Sequence, residues 1–169
     1  MKTTDPYNIL WLLPFIFALH NYEEYYGLFI TTEPVSFLTD NFLGDLVGGL
    51  YDRDTFLVAI IFLSVSVALL VILEYLIRNR VTFELILLVT AILLVNGLSH
   101  IIQAIIFFTY VPGLITAVLL LIPYMSYLLY VWKKQGRINR NEMGRSLLKG
   151  AVFMVPIIVG ILLLSKFFV

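Results

Sequence analysis

The chain has 169 residues, of which 61% are hydrophobic and 13% charged, and its 11 basic residues balance its 11 acidic ones. Because a soluble domain is about half apolar and about a quarter charged, this composition predicts an integral membrane protein and excludes a water-soluble globular domain. The chain has no cysteine, which excludes disulfides and cysteine-ligated metals. Without a basic domain, no nucleic-acid binding is expected.

Five segments are each long enough to cross the roughly 30 Å hydrocarbon core of a bilayer, for which about 20 residues suffice. We therefore predict an all-α polytopic membrane protein, a bundle of five transmembrane helices that forms a single domain over residues 1–169. Pro14 predicts a kink in the first helix. The predicted spans are Tyr7–Ile30, Thr55–Ile77, Val81–Phe108, Pro112–Trp132 and Leu147–Phe168.

The segment between the first two spans, residues 31–54, has its own periodic pattern. Apolar side chains recur there at steps of three and four residues, which predicts a short amphipathic helix in the membrane interface. Such a helix serves either as a lid over a site that opens outward or as a spacer, and the pattern leaves both open. The residues in question are Val35, Leu38, Phe42, Leu46 and Leu50.

Basic residues are concentrated in two connections, the turn after the second span and a loop over residues 133–149. Both lie on the same side of a five-span protein, and the positive-inside rule makes that side cytoplasmic. We therefore predict a multi-pass protein of the cytoplasmic (inner) membrane, with its N-terminus inside, its C-terminus outside and its basic loops against anionic lipid headgroups.

The first span contains a cluster of ionisable residues, His20-Asn21-Tyr22-Glu23-Glu24, which is an H-x-x-E-E motif. On a helix, Glu23 and Glu24 follow His20 by three and four residues, so the three side chains share one flank. Carboxylates in a bilayer are expensive, which favours a functional site. The alternative is that the glutamates lie at the membrane surface, beside an aromatic belt of tyrosines.

A second polar stripe lies on the third span, where Asn96, His100 and Gln103 follow one another by four and three residues. With a rise of about 1.5 Å per residue, His20 lies roughly 20 Å and His100 roughly 28 Å from the inner ends of their helices. Both helices run from inside to outside, and the third is longer, so that it tilts or extends past the hydrocarbon core and His100 comes to a height similar to that of His20. We therefore predict that the two clusters meet in the outer half of the bundle.

Such a cluster is suited to metal binding. Histidine and carboxylate ligands fit zinc, iron or manganese, and a catalytic zinc typically has three protein ligands and one open position. We predict His20, Glu24 and His100 as the ligands. Glu23 is then the general base, Asn96 and Gln103 orient the substrate, and Tyr110 and Tyr22 contact it.

This arrangement favours a membrane-embedded, metal-assisted hydrolase that acts on a lipid or another apolar substrate. Three alternatives stay open. One is metal-free acid–base isomerisation, in which one protonated and one ionised glutamate lie beside a histidine. Another is a transporter or a ligand-binding membrane protein, in which the same groups relay ions or hold a ligand. A purely structural polar network between helices is the third.

The motif His20-Asn21-Tyr22-Glu23-Glu24 resembles that of the HXXEE family of bacterial integral membrane proteins. The later residues Asn96, His100 and Gln103, with the stretch 110–113, are similar to the second conserved block of that family. The resemblance covers most of the chain. It implies the site residues without implying a reaction.

Two more distant similarities suggest mechanisms. Sterol-isomerase-like (emopamil-binding) proteins also have five spans and a histidine followed by a glutamate four residues later, as His20 and Glu24 are here. That similarity implies proton shuttling on a lipid-like substrate. The adjacent glutamates, with Asn96 and His100, also resemble membrane CAAX-type endopeptidases, although Leu28 stands where those proteins have an arginine.

Overall fold

The computed structural model describes residues 9–30 and 52–169, and all regular structure in these two stretches is helical. The interfacial helix predicted between the first two spans therefore falls almost wholly outside the described residues. Five helices follow one another along the described chain. They are α1 (Leu12–Phe29), α2 (Arg53–Ile77), α3 (Arg80–Phe107), α4 (Leu114–Lys134) and α5 (Arg140–Ser165).

Four of these helices, α2 to α5, are long and apolar enough to cross a membrane. The described residues thus fit a multi-pass membrane protein, and the predicted all-α class is confirmed for them. Helix α1 has 18 residues and is not among the four, so the first of the predicted spans stays a prediction. The chain is also helical at residues 9–10 and turns at Trp11, because Pro14 has no N–H to donate to the preceding turn.

Capping residues fix where the helices begin. Asp52 accepts a hydrogen bond from the Thr55 N–H at 2.9 Å, and Asn79 caps α3 in the same way. Before α5, Asn139 accepts from the Glu142 N–H at 2.9 Å while the Glu142 carboxylate accepts from the Asn139 N–H at 2.8 Å. This reciprocal capping box starts the helix.

The capping box corrects the sequence prediction at this point. Helix α5 begins at Arg140 and not at Leu147, so the predicted basic loop over residues 133–149 is mostly helical. Only a tight turn at 135–139 separates α4 from α5. Arg145 and Lys149 consequently lie on the first turns of α5.

The turns at residues 78–79 and 135–139 lie together, and we call this the basic end of the bundle. There the buried Glu74 accepts a hydrogen bond from Thr82 Oγ1 at 2.5 Å and pairs with Arg137 at 3.3 Å. The Arg137 guanidinium lies 3.9 Å from the centre of the Phe83 ring. These contacts tie the two turns together, and the opposite end, where α1, α3 and α5 end, is called the site end.

Helix α4 is irregular where it approaches the site. It starts with one α-helical turn, Leu114–Thr116, continues as a π-helix over Ala117–Leu121 and becomes α-helical again from Ile122. Pro123 follows directly and cannot donate to the preceding turn, which is a recognised cause of such irregularity. The first turn of α4 is thereby oriented separately from the rest of the helix.

Candidate functional site

The two histidines of the chain lie side by side although 79 residues separate them in sequence. Their ring centres are 4.9 Å apart and the rings meet edge to face at 79°. Both side chains are buried, with 0% of His20 and 6% of His100 exposed. The predicted meeting of the two polar clusters is therefore confirmed.

Glu24 completes a three-residue cluster with the histidines. Its Oε1 atom lies 3.0 Å from His100 Nε2 and 3.7 Å from His20 Nε2, and one donor atom from each residue lies within 4.8 Å of the others. Metal–nitrogen and metal–oxygen bonds of about 2.1 Å place tetrahedral ligands about 3.4 Å apart. The two Glu24–histidine separations lie on either side of that value, and the three residues together form a group that could hold a metal ion.

His100 is the member of the cluster whose hydrogen bonding is unsatisfied. Within the described part of the chain, neither of its ring nitrogens has a hydrogen bond of acceptable geometry. Glu24 Oε1 is close to Nε2, but it lies too far from the N–H direction to accept well. Since an unsatisfied buried polar group costs about 1–3 kcal/mol, the imidazole is suited to receiving a ligand.

His20, in contrast, is held on both sides. Its Nδ1 lies 3.0 Å from Thr116 Oγ1, and that hydroxyl donates to Glu23 Oε2 at 2.5 Å. Because the hydroxyl proton is committed to the carboxylate, the hydroxyl accepts from Nδ1–H, and Nε2 keeps its lone pair. Metal-binding histidines are usually oriented in this way through their second nitrogen. In this structure the Asn96 amide lies 3.0 Å from Nε2.

Glu23 belongs to a different environment from Glu24. Its carboxylate accepts hydrogen bonds from the Tyr110 hydroxyl at 2.6 Å, the Ile115 N–H at 3.0 Å, and both the N–H and the hydroxyl of Thr116 at 2.6 and 2.5 Å. The two N–H groups are orphan donors of the first turn of α4, which an acidic side chain is suited to cap. With four hydrogen bonds, the Glu23 carboxylate is positioned for anchoring, and this geometry offers no support for the predicted role as a base.

The two tyrosines predicted to contact substrate lie apart from the cluster. Tyr110 donates to Glu23, and burial raises the pKa of Tyr110, so its hydroxyl remains a donor at neutral pH. Tyr22 is 62% exposed and packs against Tyr26. Tyr110 therefore lies beside Glu23, and Tyr22 lies on the exposed surface of α1.

The turn that leads into α4 covers the cluster directly. Gly113 has a φ of +88°, and a Cβ atom there would lie 2.8 Å from Glu24 Cγ and 3.0 Å from the Cε1 atoms of both histidines. Neighbouring Pro112 is equally close to α1, because a Cβ on Gly27 would lie 2.7 Å from Pro112 Cβ. Only a glycine fits at 113, for reasons of both conformation and space.

A cavity of about 280 Å³ adjoins the cluster, between α1, α2, α3 and α5. Most of its wall is aliphatic or aromatic, which is typical of a small-molecule site with a few convergent polar groups. Both Asn96 and Gln103 line it, and their role in orienting a substrate stays a prediction. The polar residues of the wall are Asn21, Glu24, Asn96, Ser99, His100 and Gln103.

Three residues of the site were missed by the sequence analysis. Thr116 and Gly113 come from the start of α4, and the only signal for them is the Pro-Gly turn that precedes this helix. Asn21 lies inside the H-x-x-E-E motif, is 3% exposed, and donates to Ser64 Oγ at 3.0 Å. Its spacing of three residues from Glu24 places it on the same helix face, and this spacing would have predicted it as a site residue.

Comparison with known proteins identifies one family. The family model described as "protein of unknown function with HXXEE motif" matches residues 11–128 of the chain, which include the whole cluster and the turn over it. No curated protein and no solved structure matches the chain. The distant similarity to sterol-isomerase-like proteins is accordingly not shown.

Proposed function

We propose that this chain, which belongs to the HXXEE-motif family, is a membrane-embedded enzyme that binds one divalent metal ion and hydrolyses a lipid or another apolar substrate. The observation that carries the proposal is the cluster itself. Two histidines and one glutamate, contributed by α1 and α3, present donor atoms within 4.8 Å of one another, and two of these residues, Glu24 and His100, line an apolar cavity.

The donor set indicates which metals fit. Two imidazoles and one carboxylate suit zinc, iron or manganese, and three protein ligands leave a coordination position open. A metal held there would supply a Lewis acid for a substrate oxygen. His20, Glu24 and His100 are the ligands. The Asn96 amide, now at 3.0 Å from His20 Nε2, has to turn aside when that nitrogen binds metal.

The remaining polar side chains are assigned by position. Gln103 and Ser99 line the cavity beside His100 and orient the polar part of the substrate. Glu24 is the only carboxylate in the cavity wall among the described residues, so it and the imidazole of His100 are the titratable groups available there for proton transfer. Glu23 holds Thr116 and, through it, the imidazole of His20, and is a positioning residue.

One observation favours a second candidate, metal-free acid–base isomerisation of a lipid-like substrate. Glu24 Oε1 lies 3.0 Å from His100 Nε2 without an intervening group, and a rotation that aligns the imidazole N–H with the carboxylate would allow the pair to exchange a proton. Such a pair at the wall of an apolar cavity is a suitable acid–base couple. Metal content separates the two candidates.

The test is elemental analysis of the protein purified in detergent with an affinity tag that contains no histidine. We expect about one zinc, iron or manganese ion per chain, and at least about a tenfold loss of affinity in His100→Ala and Glu24→Gln, because each removes one of three ligands. Glu84→Gln is the matched control, since Glu84 lies at the basic end and its side chain is 59% exposed.

Two outcomes would overturn the metal site. One is wild-type protein that takes up none of the three metals after incubation with each. The other is equal metal content in wild type, His100→Ala and Glu24→Gln. Either result leaves the acid–base candidate as the better one.

The orientation of the chain is proposed on the same footing. Exposed basic side chains concentrate at the basic end, and the positive-inside rule assigns that end to the cytoplasmic face of the cell membrane. Because the chain has no cysteine, a single introduced cysteine is the only residue that a maleimide labels, and its labelling shows on which side of the membrane it lies. We expect a membrane-impermeant maleimide to label Thr109→Cys, but not Gly136→Cys, in intact cells, and the reverse pattern would invert the topology.

A further inference from the structure

We propose that the cavity beside the cluster binds a single-chain amphiphile, with its polar group at Glu24 and His100 and its hydrocarbon chain directed toward the basic end. This inference rests on the proposed function only in naming the amphiphile as substrate. Binding of the amphiphile requires no metal. The metal site and the amphiphile site can therefore be disproved independently of each other.

The polar and apolar parts of the cavity wall are arranged along α3. From the basic end toward the site end, the lining residues of this helix are first Val89, Ile92 and Leu93 and then the polar stretch from Asn96 to Gln103. At about 1.5 Å per residue, the apolar part covers about 6 Å and the polar part about 10 Å. A ligand that satisfies both parts has one polar end and one apolar end.

Among the described residues, the opposite wall provides no second polar site. Its residues come from α2 and α5 and are all apolar, from Phe56 to Val67 on one helix and from Met154 to Leu162 on the other. A polar ligand group is therefore matched only on the side of α1 and α3. Because His100 is the buried imidazole without a hydrogen bond of acceptable geometry, the polar group of the ligand belongs there.

The length of the cavity matches an extended hydrocarbon chain. Its lining extends from Val89 to Gln103 on α3, which is about 21 Å at about 1.5 Å per residue. A single-chain amphiphile whose polar group lies at His100 covers the apolar part of this wall with its hydrocarbon chain.

A route from the bilayer adjoins the cavity. A groove of about 370 Å³ lies between α1 and α2, is lined by the exposed Ile61 and Val65, and shares Asn21 and Ile60 with the cavity wall. The hydrogen bond from Asn21 to Ser64 crosses this boundary. A hydrocarbon chain thus reaches the cavity from lipid by separating one pair of side chains.

The experiment is photo-crosslinking in lipid nanodiscs with saturated fatty alcohols of graded length that carry a terminal diazirine. Labelled residues are identified by mass spectrometry. We expect the label on cavity residues near Val67 and Val89. Val89→Phe fills the apolar end, so it should lower labelling by the preferred chain by about fivefold or more and shift the preference to a shorter chain.

Val152→Phe is the matched control, because Val152 is 59% exposed on α5 and lines neither the cavity nor the groove, so its labelling pattern should equal that of wild type. His100→Ala tests independence from metal, since chain labelling should persist in it. Label confined to lipid-facing residues and insensitive to Val89→Phe would overturn the proposal. Equal labelling of the cavity by a diazirine sterol would do the same.

Discussion

Replacing Gly113 by alanine is expected to lower the metal affinity of the His20–Glu24–His100 cluster by about 100-fold, near the upper end of what is seen when a group supporting metal ligands is changed. The added methyl group would lie 2.8 Å from Glu24 Cγ and 3.0 Å from a carbon of each imidazole. All three ligands are then displaced at once. Because protein interiors deform little, the cluster cannot keep its spacing.

Gly136→Ala is the control for this substitution. Gly136 also has a left-handed backbone, with φ +70°, but a Cβ there meets nothing within 4 Å. Both variants should lose about 1–2 kcal/mol of stability from backbone strain, and only Gly113→Ala should lose metal. The measurements are metal titration by calorimetry and thermal unfolding of each variant. Equal metal affinity in the two variants would show that the turn does not press on the cluster.

The convergence of the two histidines was predictable because it follows from chain length and polarity. A polar group in lipid needs a partner, and the rise per residue places His20 and His100 at similar heights on helices that run in the same direction. No detail of packing enters that reasoning. The structure confirms it, with ring centres 4.9 Å apart.

The different roles of Glu23 and Glu24, one beside the start of α4 and the other beside His100, were not predictable in the same way. Neighbouring residues on a helix differ by about 100° in direction, so the two carboxylates cannot both face His100. Which one does depends on where the first turn of α4 lies. That turn brings three backbone and hydroxyl donors to Glu23, and its placement follows from irregular helix geometry around Pro123, which no periodicity reveals.

The fold shows a similar limit at helix ends. Hydropathy predicted the core of each described span, but α5 begins seven residues before the predicted Leu147. The first turns of this helix carry Arg140, Arg145 and Lys149. These charged residues lower the local hydropathy, so hydropathy alone does not predict a helix there. The signal was present in Asn139 and Glu142, whose spacing is that of a capping box.

Replacing Glu23 by glutamine is expected to lower metal affinity by about 10- to 100-fold, although Glu23 is not a ligand. An amide retains one acceptor oxygen where the carboxylate serves four donors. The start of α4 therefore loosens, with a loss of about 1–3 kcal/mol in the free energy of unfolding. The Thr116 hydroxyl is then no longer committed as an acceptor for His20, and the imidazole loses its fixed tautomer.

The tautomer is directly measurable, because the chain has only two histidines. In protein labelled with ¹⁵N-histidine and assigned with His100→Ala, the His20 resonances should report a protonated Nδ1 in wild type and a tautomeric mixture in both Glu23→Gln and Thr116→Val. Glu84→Gln, a change of the same kind at an exposed site, should leave them unchanged. If Glu23→Gln kept both the wild-type resonances and the wild-type metal affinity, Glu23 would have no part in positioning His20. The role of general base, which the sequence predicts for it, would then be the better assignment.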